Sequence, residues 1–193
     1  MYPAEQLSVT SALEAITSEL AATTAAVGAT NGDALELAAD TLRGARTVFT
    51  LGAGRSGIAL NMTAMRLMHL GLTVHVVGET TAPGIRAGDV LLVASGSGTT
   101  EGVVRAARTA REAGASTIAI TADASSAIAG LSSVTIVVPA ARKLDRDSAS
   151  SVQYAGSLFE QSIAIIGDAL FHALWKSSGQ TADELWPRHS NLE

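Results

Sequence analysis

Two glycine-punctuated loops hold the residue types best suited to chemistry, Gly52-Ala-Gly-Arg-Ser-Gly57 and Ser95-Gly-Ser-Gly-Thr-Thr100. Each follows an apolar run that reads as a buried strand, Val48-Phe-Thr-Leu51 and Val90-Leu-Leu-Val-Ala94, and each opens a run that reads as a helix. Such a turn presents backbone N–H groups and the positive end of a helix, which suits an anion. The second loop adds four hydroxyls, Ser95, Ser97, Thr99 and Thr100, able to donate to phosphate oxygens. Gly96 and Gly98 let the backbone come close to a ligand. The Walker lysine is missing, so the pattern fits a phosphate monoester better than a P-loop. The same Ser and Thr residues would also serve as turn formers and a helix N-cap. Two such loops on neighbouring strands would form one crevice for a single phosphorylated ligand.

Glu160 is the acid that stands out. On a long helical run it shares a face with Gly156, Ile163, Gly167, Leu170 and Leu174, the spacing of a buried stripe. A carboxylate there costs free energy unless it is paired or used. Two roles stay open: a general base for C–H abstraction, or a salt bridge to Arg55 or another basic residue. Of the four histidines, His69 lies near a helix C-terminus, where the dipole favours it, while His75 and His172 read as packing residues. His189 stands in a short polar tail.

The first loop also satisfies G-x-G-x-x-G, and Glu79 sits where a ribose-binding acid belongs in a dinucleotide site. Against a nicotinamide cofactor stand the second cradle, for which a Rossmann site has no use, and a chain too short for a separate substrate domain.

The elements that must position these residues alternate. Helical patterns cover 4–27 and 33–42, with residues 28–32 as the break between them. Strands are predicted at 46–51, 73–77, 89–94, 116–121 and 134–138, and helices at 56–70, 99–113 and 125–131. Five near-continuous apolar strands separated by helices imply an α/β fold with a parallel sheet covered on both faces. A polar, charged loop is expected at 141–150, then a long helix at about 153–176 and a short one near 182–188. The expectation is one domain over 1–193: N-terminal helices in 1–44, a parallel α/β core in 45–140, and C-terminal helices and tail in 151–193.

Composition narrows the function classes. The 193 residues are 47% hydrophobic and carry a net charge of −5, so a packed core is expected and disorder is not. Residues 1–44 contain a single basic residue, Arg43, which argues against a nucleic-acid-binding arm. The absence of cysteine excludes disulfides, thiolate nucleophiles and Cys-ligated metals. With no signal-peptide pattern and no run long enough to cross a bilayer, a cytoplasmic protein without membrane or nucleic-acid partners is expected.

Together these pieces resemble the sugar isomerase (SIS) domain family. The resemblance runs over nearly the whole chain. It is carried by the two loops and by Ala64-Met-Arg-Leu-Met-His-Leu-Gly71, Val77-Gly-Glu-Thr-Thr81, Gly156-Ser-Leu-Phe-Glu-Gln161 and His189-Ser-Asn-Leu-Glu193. The Ser/Gly loop is general to such domains, whereas the Gly-Ser-Leu-Phe-Glu-Gln and Asn-Leu-Glu stretches are particular to its hexulose-phosphate isomerases. The resemblance implies a flavodoxin-like three-layer sandwich that binds phosphosugars over the C-terminal edge of the sheet. It further implies interconversion of D-arabino-hex-3-ulose 6-phosphate and fructose 6-phosphate through a C2–C3 enediol, in the ribulose monophosphate pathway, without cofactor or metal. Ser56 and the loop Ser95, Gly96, Ser97, Gly98, Thr99 and Thr100 would then hold the phosphosugar and Glu160 would move the proton. Arg55 would stabilise the enediolate and His189 would shuttle hydroxyl protons, in a tetramer whose neighbouring subunits complete each site. An arabinose 5-phosphate isomerase and a non-catalytic phosphosugar sensor are the alternatives. Thr99 and Ser190 depart from the family's commonest residues, which are acidic and Ala respectively.

Overall fold

A computed structural model describes residues 8–140 and 151–192. The loop expected at 141–150 and the first residues of the N-terminal helical pattern lie outside them. Helices α1 (Val9–Thr30) and α2 (Gly32–Arg43) lead into strand β1 (Val48–Gly52) and helix α3 (Arg55–Leu70). Strands β2 (Val74–Val76) and β3 (Val90–Ala94) come next, then α4 (Glu101–Glu112), β4 (Ser116–Thr121), α5 (Ala127–Leu131) and β5 (Val134–Val137). The chain closes with α6 (Ser157–Ser178), α7 (Ala182–Leu185) and a 3₁₀ turn at Trp186–Arg188.

The strands form one parallel sheet in the order β2-β1-β3-β4-β5. Side chains alternate across it: Val48 of β1 and Val90 and Leu92 of β3 join the core under α3 and α6. Phe49, Leu91 and Val93 join a second core with Val103 and Ala110 of α4 and Ile128 of α5. Helices on both faces make a three-layer sandwich, as the near-continuous apolar strands require. Residues 77–89, between β2 and β3, contain no helix.

Two boundaries differ from the sequence reading, each for a local reason. The N-terminal break is not the whole stretch 28–32: α1 runs through Gly28 and stops at Asn31. Asn31 is buried, donates to the Val137 carbonyl (3.0 Å) and accepts from the Val137 N–H (2.8 Å). Its amide thereby mimics a strand neighbour and closes the outer edge of β5. The long helix begins at Ser157 rather than near 153, because Ala155 takes a positive φ of 50°. Gln153 instead pairs its amide with that of Gln161 (2.8 and 3.0 Å) and donates to Glu19 of α1 (3.0 Å). The later start puts Glu160 in the first turn of α6.

Candidate active site

The first loop is built by contact between strand and helix. A Cβ on Gly52 would come within 2.8 Å of the Gly57 nitrogen, and one on Gly57 within 2.4 Å of the Gly52 oxygen. Only glycines let β1 and α3 meet this closely. The second loop is a knot of internal hydrogen bonds. The Ser95 and Thr100 hydroxyls pair at 2.9 Å, and the Gly98 N–H donates to the Ser95 hydroxyl at 3.1 Å. The Ala122 and Ile128 N–H groups donate to the carbonyls of Gly96 and Gly98, bolting the loop to the segment after β4. Gly98 has φ +62°, and a Cβ there would lie 2.1 Å from the Ser126 hydroxyl oxygen. No other residue fits that position.

Between the loops lies a cavity of about 70 Å³. The residues around it come from the starts of three helices: Ala53 and Ser56 at α3, Ser95 to Ser97 and Thr100 at α4, Gly156, Phe159 and Glu160 at α6. Thr100 and Gly156 are the N-cap residues of α4 and α6. Three positive helix ends and the hydroxyls of Ser56, Ser95, Ser97 and Thr100 therefore face one small volume, a strong seat for a phosphate group. Phe159, buried, packs on Gly96 and ties α6 to the loop.

Glu160 projects into this cavity with its side chain 13% exposed and forms an ion pair with Arg55, whose side chain is 67% exposed. Both roles left open by the sequence thus meet in one place: the acid is paired and also lines the cavity. A carboxylate beside a phosphate seat, with a guanidinium on it, can take a proton from a carbon next to a carbonyl while the cation offsets the charge that develops. α3 and α6 run parallel from this pair, with Arg66 and Asp168 facing each other at 3.9 Å farther along. Between these pairs the helices pack tightly at Gly167, where a Cβ would lie 1.9 Å from the Thr63 hydroxyl oxygen.

Not every candidate joins the cavity. Gly98 and Thr99 shape the loop without lining it, Thr99 donating to the Ser97 hydroxyl (3.1 Å). His189 lies at the far end of α3, its ring stacked on His69 (centroids 4.0 Å apart, 20° between planes) and close to Trp186 (4.6 Å). Fourteen residues of helix separate Arg55 from His69, roughly 21 Å at 1.5 Å per residue, so within one chain His189 does not meet Glu160. His69 is buried, and its pKa is lowered by that burial, then by His189 and Arg66 nearby. The Arg188 guanidinium, donating to the His69 carbonyl (3.1 Å), fixes the tail there. His75 is half-buried beside Phe49, but His172, read as a packing residue, is exposed at the edge of Trp175.

Glu79 is placed apart from the cradle. It borders a wider cavity of about 510 Å³ between α4 and the segment after β2, lined by Phe49, Leu51, Ile85 and Leu91, with Arg105 also at its border. A dinucleotide site needs the acid and the first glycine loop in one crevice, and here the acid does not line that crevice. The third helix start was missed by the sequence reading. Its one signal is Gly156 just before the apolar stripe of α6.

Among the described residues no group of His, Asp and Glu could hold a metal ion, and no helix is long and apolar enough to cross a membrane.

Comparison with known proteins gives the family. The SIS domain family matches residues 41–165. A 3-hexulose-6-phosphate isomerase of Mycobacterium gastri is 58% identical over 146 residues, covering 76% of this chain and 73% of that protein. The protein of the same name from Bacillus subtilis is 35% identical, covering 80% of this chain and 84% of its own length. A crystal structure from Methanococcus jannaschii, said to infer the function of a 3-hexulose-6-phosphate isomerase, superposes with a TM-score of 0.82 at 29% identity, covering 94% of this chain and 99% of that one. The chain belongs to the SIS domain family, among the 3-hexulose-6-phosphate isomerases.

Proposed function

We infer that the protein interconverts D-arabino-hex-3-ulose 6-phosphate and fructose 6-phosphate. The observation that carries this reading is the Glu160 carboxylate in the cavity onto which three helix starts converge. A protein that only senses a phosphosugar needs the cradle but no acid within it. The hydroxyls of Ser56, Ser95, Ser97 and Thr100 and the helix ends hold the phosphate, which anchors the far end of the sugar. Binding energy then fixes the reacting carbons against the carboxylate. Glu160 takes the proton from C2, electrons move onto the C3 carbonyl oxygen, and a C2–C3 enediol forms. Returning the proton to C3 while the C2 hydroxyl gives up its own proton leaves the carbonyl at C2, which is fructose 6-phosphate; the same steps reversed, with C2 protonated and the C3 hydroxyl deprotonated, return the hexulose. Arg55 stabilises the enediolate oxygen.

The cavity of about 70 Å³ accommodates the phosphate end only, since pockets for whole small molecules run to about 300–1,000 Å³. The rest of the sugar therefore needs a further wall. We assign it to a neighbouring copy in a homo-oligomer, a tetramer by family resemblance, with His189 of that copy moving hydroxyl protons. The setting of such a metabolic enzyme is the cytoplasm.

The test is direct. Purified protein incubated with hexulose 6-phosphate should form fructose 6-phosphate, and arabinose 5-phosphate should not be turned over. Turnover of arabinose 5-phosphate in place of the hexulose would move the chain to the other isomerase class. Binding of either sugar without turnover would make it a sensor.

A further inference from the structure

Glu19 is half-buried on α1, outside the α/β core, and does not line the cradle. Its carboxylate nevertheless accepts two hydrogen bonds from the segment that leads into α6, one from the Val152 N–H (2.9 Å) and one from the Gln153 side-chain amide (3.0 Å). The same Gln153 amide donates to the Gln161 side-chain oxygen (3.0 Å), and the Gln153 oxygen accepts from the Gln161 amide (2.8 Å). Both amide hydrogens of Gln153 are therefore used. Turned the other way, its oxygen would face a carboxylate. Glu19 thus dictates how the Gln153 amide points, and the Gln161 amide points to match.

This clasp holds a turn that its own side chains do not hold. Ala155 has a φ of 50°, a conformation that a side chain disfavours and that persists only where the surroundings impose it. Val152 and Tyr154 are 70% and 91% exposed, so their packing does not impose it. The turn ends at Gly156, which caps α6 and lines the cavity. The Gly156 carbonyl accepts from the Glu160 N–H (3.0 Å), and a Cβ on Gly156 would lie 3.6 Å from the Glu160 carboxylate. Gln161 is the next residue along the helix. Two paired amides and one peptide unit therefore connect α1 to the acid in the cradle.

We propose that Glu19 is a positioning residue for the isomerisation: through Gln153 and Gln161 it fixes the first turn of α6, and with it the place of the Glu160 carboxylate against the phosphate cradle. The kinetic half rests on the reading of Glu160 as the proton acceptor; the brace itself does not.

The test pairs a kinetic readout with one that needs no activity. In Glu19→Ala, deuterium uptake of a peptide spanning 152–161 should quicken about tenfold, while 101–112 of α4 stays as in the wild type. Turnover of hexulose 6-phosphate should fall about tenfold to a hundredfold with KM little changed, because proton abstraction tolerates less displacement than phosphate binding. In a Glu160→Gln background the same substitution should lower turnover no further, since the group it positions is gone. Should Glu19→Ala not fold, Glu19→Gln keeps the size of the side chain but offers one acceptor where two donors converge, and the same readouts apply. Unchanged uptake over 152–161 overturns the brace. Faster uptake with wild-type turnover makes the clasp structural only, and losses that multiply with Glu160→Gln overturn the route through Glu160. Faster uptake in a protein whose wild type does not convert hexulose 6-phosphate would refute the proposed activity and leave the brace standing.

Discussion

Glu160→Gln separates the two roles that the structure joins at one carboxylate. As an ion-pair partner Glu160 meets an Arg55 side chain that is 67% exposed. Such a pair is worth about 0–1 kcal/mol, because water screens the cation. Glutamine has nearly the same shape and can still accept from the guanidinium. The melting temperature should therefore fall by less than about 4 °C, given about 2–4 °C per kcal/mol for a protein of this size. As a general base the carboxylate contributes a rate factor of about 10²–10⁴, or roughly 3–5 kcal/mol at 1.36 kcal/mol per decade. The catalytic loss should exceed the stability loss severalfold. Turnover of hexulose 6-phosphate is followed by fructose 6-phosphate formation, with melting measured on the same sample. KM should stay close to that of the wild type, because the proposed phosphate contacts come from Ser56, the Ser95–Thr100 loop and the helix ends rather than from the carboxylate. A variant that melts normally and turns over at nearly the wild-type rate would show that Glu160 is structural.

The remaining expectations address the cradle, the helix contact and the buried histidine. Ser97→Ala or Thr100→Val should each weaken phosphosugar binding by about 1–3 kcal/mol in calorimetry, with inorganic phosphate competing; unchanged affinity in both would move the phosphate elsewhere. Gly167→Ala drives a methyl group into Thr63, 1.9 Å from its hydroxyl oxygen, and should cost about 1–3 kcal/mol in denaturant unfolding together with turnover; wild-type values of both would mean that α3 and α6 separate freely. The lowered pKa of His69 means that the unfolded chain, at the ordinary value of about 6.5, takes up a proton before the folded one does. Stability is then full above about pH 6.5 and falls as pH drops through the lowered value, so His69→Phe should flatten the acid limb of melting temperature against pH, and an unchanged limb would remove His69 as its cause.

The sheet was legible because buried parallel strands are continuous apolar runs: 116–121 was predicted to the residue, and the other four within two residues at either end. Both loops were legible because glycine and hydroxyl residues cluster where strand passes to helix. What was not legible depends on contacts distant in sequence. Nothing around Asn31 announces that its amide clasps Val137, and Gly28, the apparent breaker, sits on α1 with open space around it. The start of α6 was misplaced because residues 153–156 look compatible with a helix, whereas the backbone at Ala155 and the Gln153–Gln161 pair forbid one. The His69–His189 stack joins a helix end to a tail, and a pair of lone histidines gives no periodic signal.

The abundance of small residues bears on the chemistry as well as on packing. Glu160 and Arg55 each lie about two helical turns before the point where Gly167 of α6 meets Thr63 of α3. Because the helices are parallel, that contact fixes how far one can slide along the other, and hence the level at which acid and guanidinium meet. On the proposed reading the loops would hold the phosphate, and the register of two rigid helices would hold the proton acceptor. The separation has a physical advantage: a phosphate accepts donors from several directions, so a loop can bind it with some give. Proton abstraction from carbon tolerates far less displacement. A side chain larger than hydrogen at position 167 would shift the carboxylate relative to the cradle without touching either, which makes this glycine part of the site's geometry although it lies outside the cavity.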